Sequence, residues 1–197
     1  MDDIKNTDNQ EKENNNINFK LGMYLISMSV LFFVLSIMTF QCADNFLDFI
    51  KSNILFIIFV VLTIISVVVY FRFKHKLNGT RNLPIKIKDI EDKDYELLSF
   101  LSSYILPLVF IDSSNTRSII VLFIMLFIIG AIMIKTNYYV VNPVLALFGY
   151  KLYIIKYTTD NDKKIINVIT KDKLIIGDCI ETMKLDNKLY FAKRSNR

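Results

Sequence analysis

The chain has 197 residues, 53% of them hydrophobic, with a formal charge of +5, two cysteines and one histidine. His75 and two separated thiols exclude a zinc site, which takes four clustered ligands or three plus water. Four apolar runs, at residues 21–40, 54–71, 97–111 and 118–134, exclude an ordinary soluble domain, because they are apolar all the way round where a soluble helix keeps a polar face.

Residues 1–19 are polar and mostly acidic, with Asn14, Asn15 and Asn16 at their centre. They have almost nothing to bury, so a disordered tail is expected. The apolar stretch that follows is longer than the ~7 to 15 residues of a secretory signal, and no small-residue cleavage site closes it. It reads as an uncleaved first helix.

The expected fold class is membrane α-helical: a four-transmembrane-helix bundle over residues 20–135 carrying a small cytoplasmic all-β domain, barrel or sandwich-like, at its C-terminal end. The helices are expected at about 21–41, 53–73, 95–111 and 118–136. A helix rises about 1.5 Å per residue, so roughly 20 apolar residues cross a hydrocarbon core about 30 Å thick. The first, second and fourth runs meet that length. The third covers only ~22 Å and contains Pro107, which leaves a re-entrant or interfacial segment as the alternative. A full span is preferred, since Lys93 can snorkel at one end and Asp112 can sit among headgroups at the other. Neighbouring helices, or the Ser102 and Ser103 hydroxyls, can satisfy the backbone freed by the proline.

Charge sets the expected orientation. Arg72, Lys74, Lys76, Arg81, Lys86, Lys88 and Lys93 lie in and beside the link at 74–94, and Lys135 opens a lysine-rich tail, whereas the other two loops hold only Lys51 and Arg117. Lys and Arg gather on the cytoplasmic side, so both termini and the link are expected inside, and four crossings put every basic cluster there. The same rule accounts for the basic excess, so the expected partner is membrane lipid and no direct nucleic acid binding is expected. Cys42, at the outer end of the first helix, and Cys179, in the tail, then fall on opposite sides, where no bridge between them can form.

After the fourth run the period changes. A juxtamembrane helix is expected at 137–149, with Asn142 as cap, Pro143 in the first turn and Gly149 closing it in a left-handed conformation. The β domain follows at 150–197 as a meander of short strands, at 150–158, 165–170, 174–176, 180–185 and 189–192, punctuated by Asp160 to Asp162, by Gly177 and Asp178, and by Asp186 and Asn187. About 50 residues make a poor independent core. The alternation of apolar and polar residues from Pro84 to Asp89 therefore points to one more strand, at 84–90, supplied by the link.

Chemistry-bearing residues are few. Glu96 opens the third helix, where an acid is favoured by the helix dipole and where an ionisable group near the membrane also marks a candidate functional site. With Ser99, Ser102, Ser103, Tyr104 and Pro107 it forms the least lipid-like of the four helices, a candidate contact face within the bundle or between subunits. Asn142, Pro143, Gly149, Tyr150 and Lys151 are candidate juxtamembrane or partner-docking residues. No paired acid and base, thiol dyad or phosphate loop is visible, so neither enzyme activity nor a cofactor is expected.

The segment from Tyr95 and Glu96 through Ser102, Ser103 and Tyr104 to Pro107 resembles the KwaA family, the four-helix membrane component of the bacterial Kiwa anti-phage system. The stretch from Asn142 and Pro143 through Phe148, Gly149 and Tyr150, together with Gly177, Asp178, Leu185, Asp186 and Asn187, is similar too. The resemblance implies an inner-membrane sensor or scaffold that forms homo-oligomers, a tetramer being the count it suggests, and that recruits or regulates a cytoplasmic DNA-binding partner, KwaB. Two other readings stand beside it. One is a pore or channel-like effector with Glu96 and the third-helix serines along its passage; the other is a structural anchor for an unrelated cytoplasmic enzyme.

Overall fold

The computed structural model describes residues 2–42, 45–79, 84–93, 99, 102, 112, 115–136, 138–159, 162–186 and 189–195. Helix α1 spans Asp2–Thr39, a short α2 spans Phe46–Ser52, α3 spans Ile54–Lys76 and α4 spans Thr116–Thr136. Three stretches, Ile17–Thr39, Ile54–Lys76 and Thr116–Thr136, are long and apolar enough to cross a membrane. The expected third helix at 95–111 lies outside the described residues, Ser99 and Ser102 excepted.

Helix α1 runs without a break from the polar leader into the apolar stretch, with no glycine or proline between Asp2 and Phe19. The first loop is itself largely helical, because Asn53 folds it back. The Asn53 side chain is fully buried, accepts from the Gln41 N–H at 2.7 Å, and donates to the carbonyls of Gln41 at 2.8 Å and Phe49 at 3.1 Å.

Apolar side chains pack the three long helices into one bundle. Phe19 meets Phe73 and Phe32 meets Phe59, each with ring centroids 6.5 Å apart, so α1 and α3 run antiparallel. Helix α4 joins them where the Tyr24 hydroxyl donates to the Leu126 carbonyl at 2.8 Å, and Phe123 stacks on Phe59 at 6.0 Å. Gly130 permits that approach, since a Cβ there would stand 3.0 Å from the Tyr24 ring. Hydroxyls within the helices are satisfied locally: Thr39, Thr63 and Ser66 each donate at 2.8 Å to the carbonyl four residues back. By these contacts the Ile17 end of α1, the Lys76 end of α3 and the Thr136 end of α4 lie together, and α4 begins at the far end.

The sheet sits at that shared end. Its strands are β1 (Ile85–Lys86), β2 (Asp89–Asp92), β3 (Lys151–Thr159), β4 (Asp162–Thr170), β5 (Cys179–Lys184) and β6 (Leu189–Arg194), in the order β1-β5-β6-β4-β3-β2. Pairing is antiparallel except between β4 and β6, where Asn167 stands opposite Leu189 and Ile169 opposite Phe191 in parallel register. The topology is thus not a meander. Residues 174–176 form no strand: the Asp178 carboxylate accepts from the Ile175 N–H at 3.1 Å and turns the chain, Leu174 plugs the core, and β6 inserts between β4 and β5.

The link supplies both edge strands. Ile85 pairs with Ile180 of β5, and Asp89 pairs with Lys156 of β3, so the two edges are joined by only Ile87 and Lys88. The sheet must curl to bring its edges that close, and it forms a mixed half-barrel. Alternation along the strands then separates two sets of side chains. Tyr153, Ile155, Val168 and Ile180 fill the curl with Ile87, while Leu152, Ile169, Met183 and Leu189 belong to the core of the helical bundle. At the seam Lys156 Nζ lies 2.7 Å from Asp89, and its hydrogen bond and charge hold that carboxyl below the usual range.

Ile87 is 1% exposed and its backbone N–H donates to the Asp178 carbonyl at 3.0 Å. Ile87→Ala is expected to cost about 2 to 5 kcal/mol, the range for emptying such a core site. Amide hydrogen exchange in β3 and β5 is the check: both strands should lose protection together, while exchange unchanged in β3 would contradict closure of the sheet by the link.

Candidate functional site at the joint between helices and sheet

Between α4 and β3 the chain makes a 3₁₀ turn at Tyr138–Val140 and the short helix α5 at Pro143–Leu147. Asn142 begins α5. Its side-chain oxygen accepts from the Val144 and Leu145 N–H groups at 3.1 and 3.2 Å, and Pro143 occupies the first turn, where a missing N–H costs nothing. The Asn142 amide nitrogen donates to the Met23 carbonyl of α1 at 3.1 Å. One buried side chain therefore both starts the helix and ties it to the bundle. Gly149, at φ +79°, ends the turn with its N–H on the Ala146 carbonyl, a conformation that side chains resist.

Tyr139 makes the second tie. It is fully buried, its ring meets Phe19 of α1 edge-on at 6.3 Å, and its hydroxyl donates to the Asp186 carboxylate in the β5–β6 turn. Lys20 Nζ stands 5.5 Å above the same ring, a cation–π contact. Burial raises the Tyr139 phenol above its ordinary range, and bonding to a carboxylate raises it further, so the group stays a neutral donor. Tyr150 is buried in the same core, capped by Lys171 Nζ at 4.7 Å, and burial lifts its phenol as well. Lys151 is half-buried and opens β3 opposite Thr170.

Three of the sequence-predicted residues are buried at this joint: Asn142, bonded to α1, Pro143 beside it in the chain, and Tyr150 within the core of the bundle. Gly149 shapes the turn and is exposed. Of the third-helix group, Ser102 donates to the Ser99 carbonyl at 2.6 Å and both are exposed; Glu96, Ser103, Tyr104 and Pro107 lie outside the described residues. Tyr139, Phe19 and Asp186 were missed as a set. Tyr139 and Asp186 are 47 positions apart and no periodicity links them, although a lone acid in a tight turn was visible.

The joint is packed and not hollow. The space between Asn142, Leu145, Tyr150, Leu152 and Ile169 amounts to ≈ 10 Å³, about the least that admits one water. Among the described residues no group of three or more His, Cys, Asp or Glu is placed to hold a metal ion. The joint is a packed contact between bundle and sheet.

Helices of this length and apolarity, carrying a half-barrel locked to one end, define a membrane-associated protein with a soluble appendage. The model of the family described as anti-phage protein KwaA matches residues 19–191. A relative from Escherichia coli O55:H7 (strain RM12579 / EPEC), named Kiwa protein KwaA, is 30% identical over 188 residues, covering 89% of this chain and 95% of the relative. No solved structure matches. The chain belongs to the KwaA family of anti-phage defence proteins.

Asn142→Ala removes the cap and the bond to α1 together, and is expected to lower stability by about 1 to 2 kcal/mol. Tyr139→Phe, which keeps the ring and loses the bond to a charged acceptor, should cost about 1.5 to 3 kcal/mol. Thermal unfolding of the detergent-purified protein measures both. Unchanged midpoints in the two variants would mean that the joint does not hold bundle and sheet together.

Proposed function

We propose that this chain is a four-crossing inner-membrane sensor and scaffold of an anti-phage defence system, with both termini and the half-barrel in the cytoplasm. It self-associates through its helices and recruits or regulates a cytoplasmic DNA-binding effector; it is not itself an enzyme. The observation that carries the reading is topological. Strand β2 lies at the sheet end of the bundle and α4 starts at the opposite end. This supports a return across the bilayer by residues 93–115, since roughly 23 residues as a helix would span about 34 Å.

Charge supports the orientation. Lys74, His75 and Lys76 close α3, and Lys135 closes α4, all at the sheet end, where the lysine-rich strands also lie. That end belongs inside the cell by the positive-inside rule. Membership of the family supports the role in defence, and the relative's name, Kiwa protein KwaA, supports a place in that system. The packed joint supports sensing over transport: a disturbance that tilts α1 moves Phe19 and Met23, which hold Tyr139 and Asn142, and so moves the sheet.

Affinity purification of the intact chain from its native host after mild crosslinking is the test. A DNA-binding protein should be recovered with it, and Tyr139→Ala should reduce that recovery at equal expression. Recovery of a metabolic enzyme in its place would favour a passive anchor, and ion flux through reconstituted protein would favour a pore.

A further inference from the structure

Where α1 and α3 approach the sheet they part around a cleft of ≈ 170 Å³. Phe19, Gly22, Met23 and Val69 form its apolar floor, and Arg72 and Lys76 form its rim. Helical spacing creates it: Phe19, Gly22 and Met23 recur at three to four residues on α1, and Val69, Arg72 and Lys76 do the same on α3, so two rows face each other. Gly22 keeps the floor low. A Cβ there would stand 3.1 Å from Val69 Cγ1. On the outer side of α3 the same Arg72 and Lys76 border a second, open depression with Val68 and Phe71, which are 48% and 61% exposed. Two exposed cations thus stand between two apolar surfaces, in the last turns of a helix long and apolar enough to cross a membrane. Among the described residues no acid lines either depression.

We propose that this cleft binds one anionic glycerophospholipid of the adjoining leaflet, its phosphate held by Arg72 and Lys76 and an acyl chain laid along Val69 and Gly22. A guanidinium takes phosphate oxygens two at a time, and basic pockets between membrane helices collect anionic headgroups in this way. The apolar floor argues for a lipid over free phosphate. Lys76 Nζ also lies 5.1 Å from the Phe19 ring, and Phe19 touches Tyr139, so the bound headgroup abuts the joint between bundle and sheet. The inference rests on the membrane reading of the three apolar helices and not on the proposed role in defence.

Native mass spectrometry of the full chain in detergent tests it, with phosphatidylglycerol, phosphatidylcholine or inorganic phosphate added and helicity checked for every variant. Wild type should retain one phosphatidylglycerol in preference to phosphatidylcholine. Arg72→Gln and Lys76→Gln should each weaken retention about fivefold, and the pair about twenty-five-fold, as expected for two headgroup-facing cations. Gly22→Leu, which fills the floor, should abolish it. Lys74→Gln removes the same charge from the same turn but lines neither depression, and should change nothing. Equal weakening by Lys74→Gln would reduce the effect to diffuse attraction and overturn the site. So would equal retention of phosphatidylcholine, or displacement of the lipid by inorganic phosphate.

Discussion

Ile87 and Lys88 are all that separates two strands lying at opposite edges of one sheet. A flat six-stranded sheet would hold those edges roughly 24 Å apart, at about 4.8 Å per strand spacing, far beyond the reach of two residues. The sheet therefore curls, and curling encloses Tyr153, Ile155, Val168 and Ile180 around Ile87. The same constraint binds the link to the tail. Segments separated by the whole of α4 become one half-barrel, and that half-barrel can exist on only one side of a membrane.

Asn142 ties the short helix to α1 through a buried hydrogen bond, and Tyr139 packs its ring on Phe19 of α1 while its hydroxyl donates to Asp186 in the β5–β6 turn. Elsewhere the helices contact one another mainly through apolar packing, which lipid can replace at little cost. Directional bonds thus sit at both ends of the bundle, at the joint near the sheet and at Asn53 at the far end, with apolar packing between them.

The three long helices were legible because lipid as solvent demands unbroken apolar runs, and the strands from Lys151 onward because aromatic and β-branched residues alternate there. The link's contribution was legible from the alternation at Ile85, Lys86, Ile87 and Lys88. What stayed hidden depends on contacts between distant positions. Nothing local in Asp186 indicates that it accepts from Tyr139, and nothing in residues 189–192 reveals that β6 runs parallel to β4. Residues 174–176 are apolar enough for a strand, yet the Asp178 carboxylate takes the backbone first. In the candidate site, Asn142 and Pro143 were readable as a cap, but the bond from Asn142 to Met23 was not.

Single-cysteine labelling in intact cells bears most directly on the account. With Cys42 and Cys179 replaced by serine, a cysteine at Asn115 should react with a membrane-impermeant maleimide added outside, whereas cysteines at Lys88 and Lys164 should react only after the cells are opened. Labelling of Asn115 and Lys88 from the same side would mean that residues 93–115 do not cross, and the arrangement of sheet, joint and bundle proposed here would be wrong.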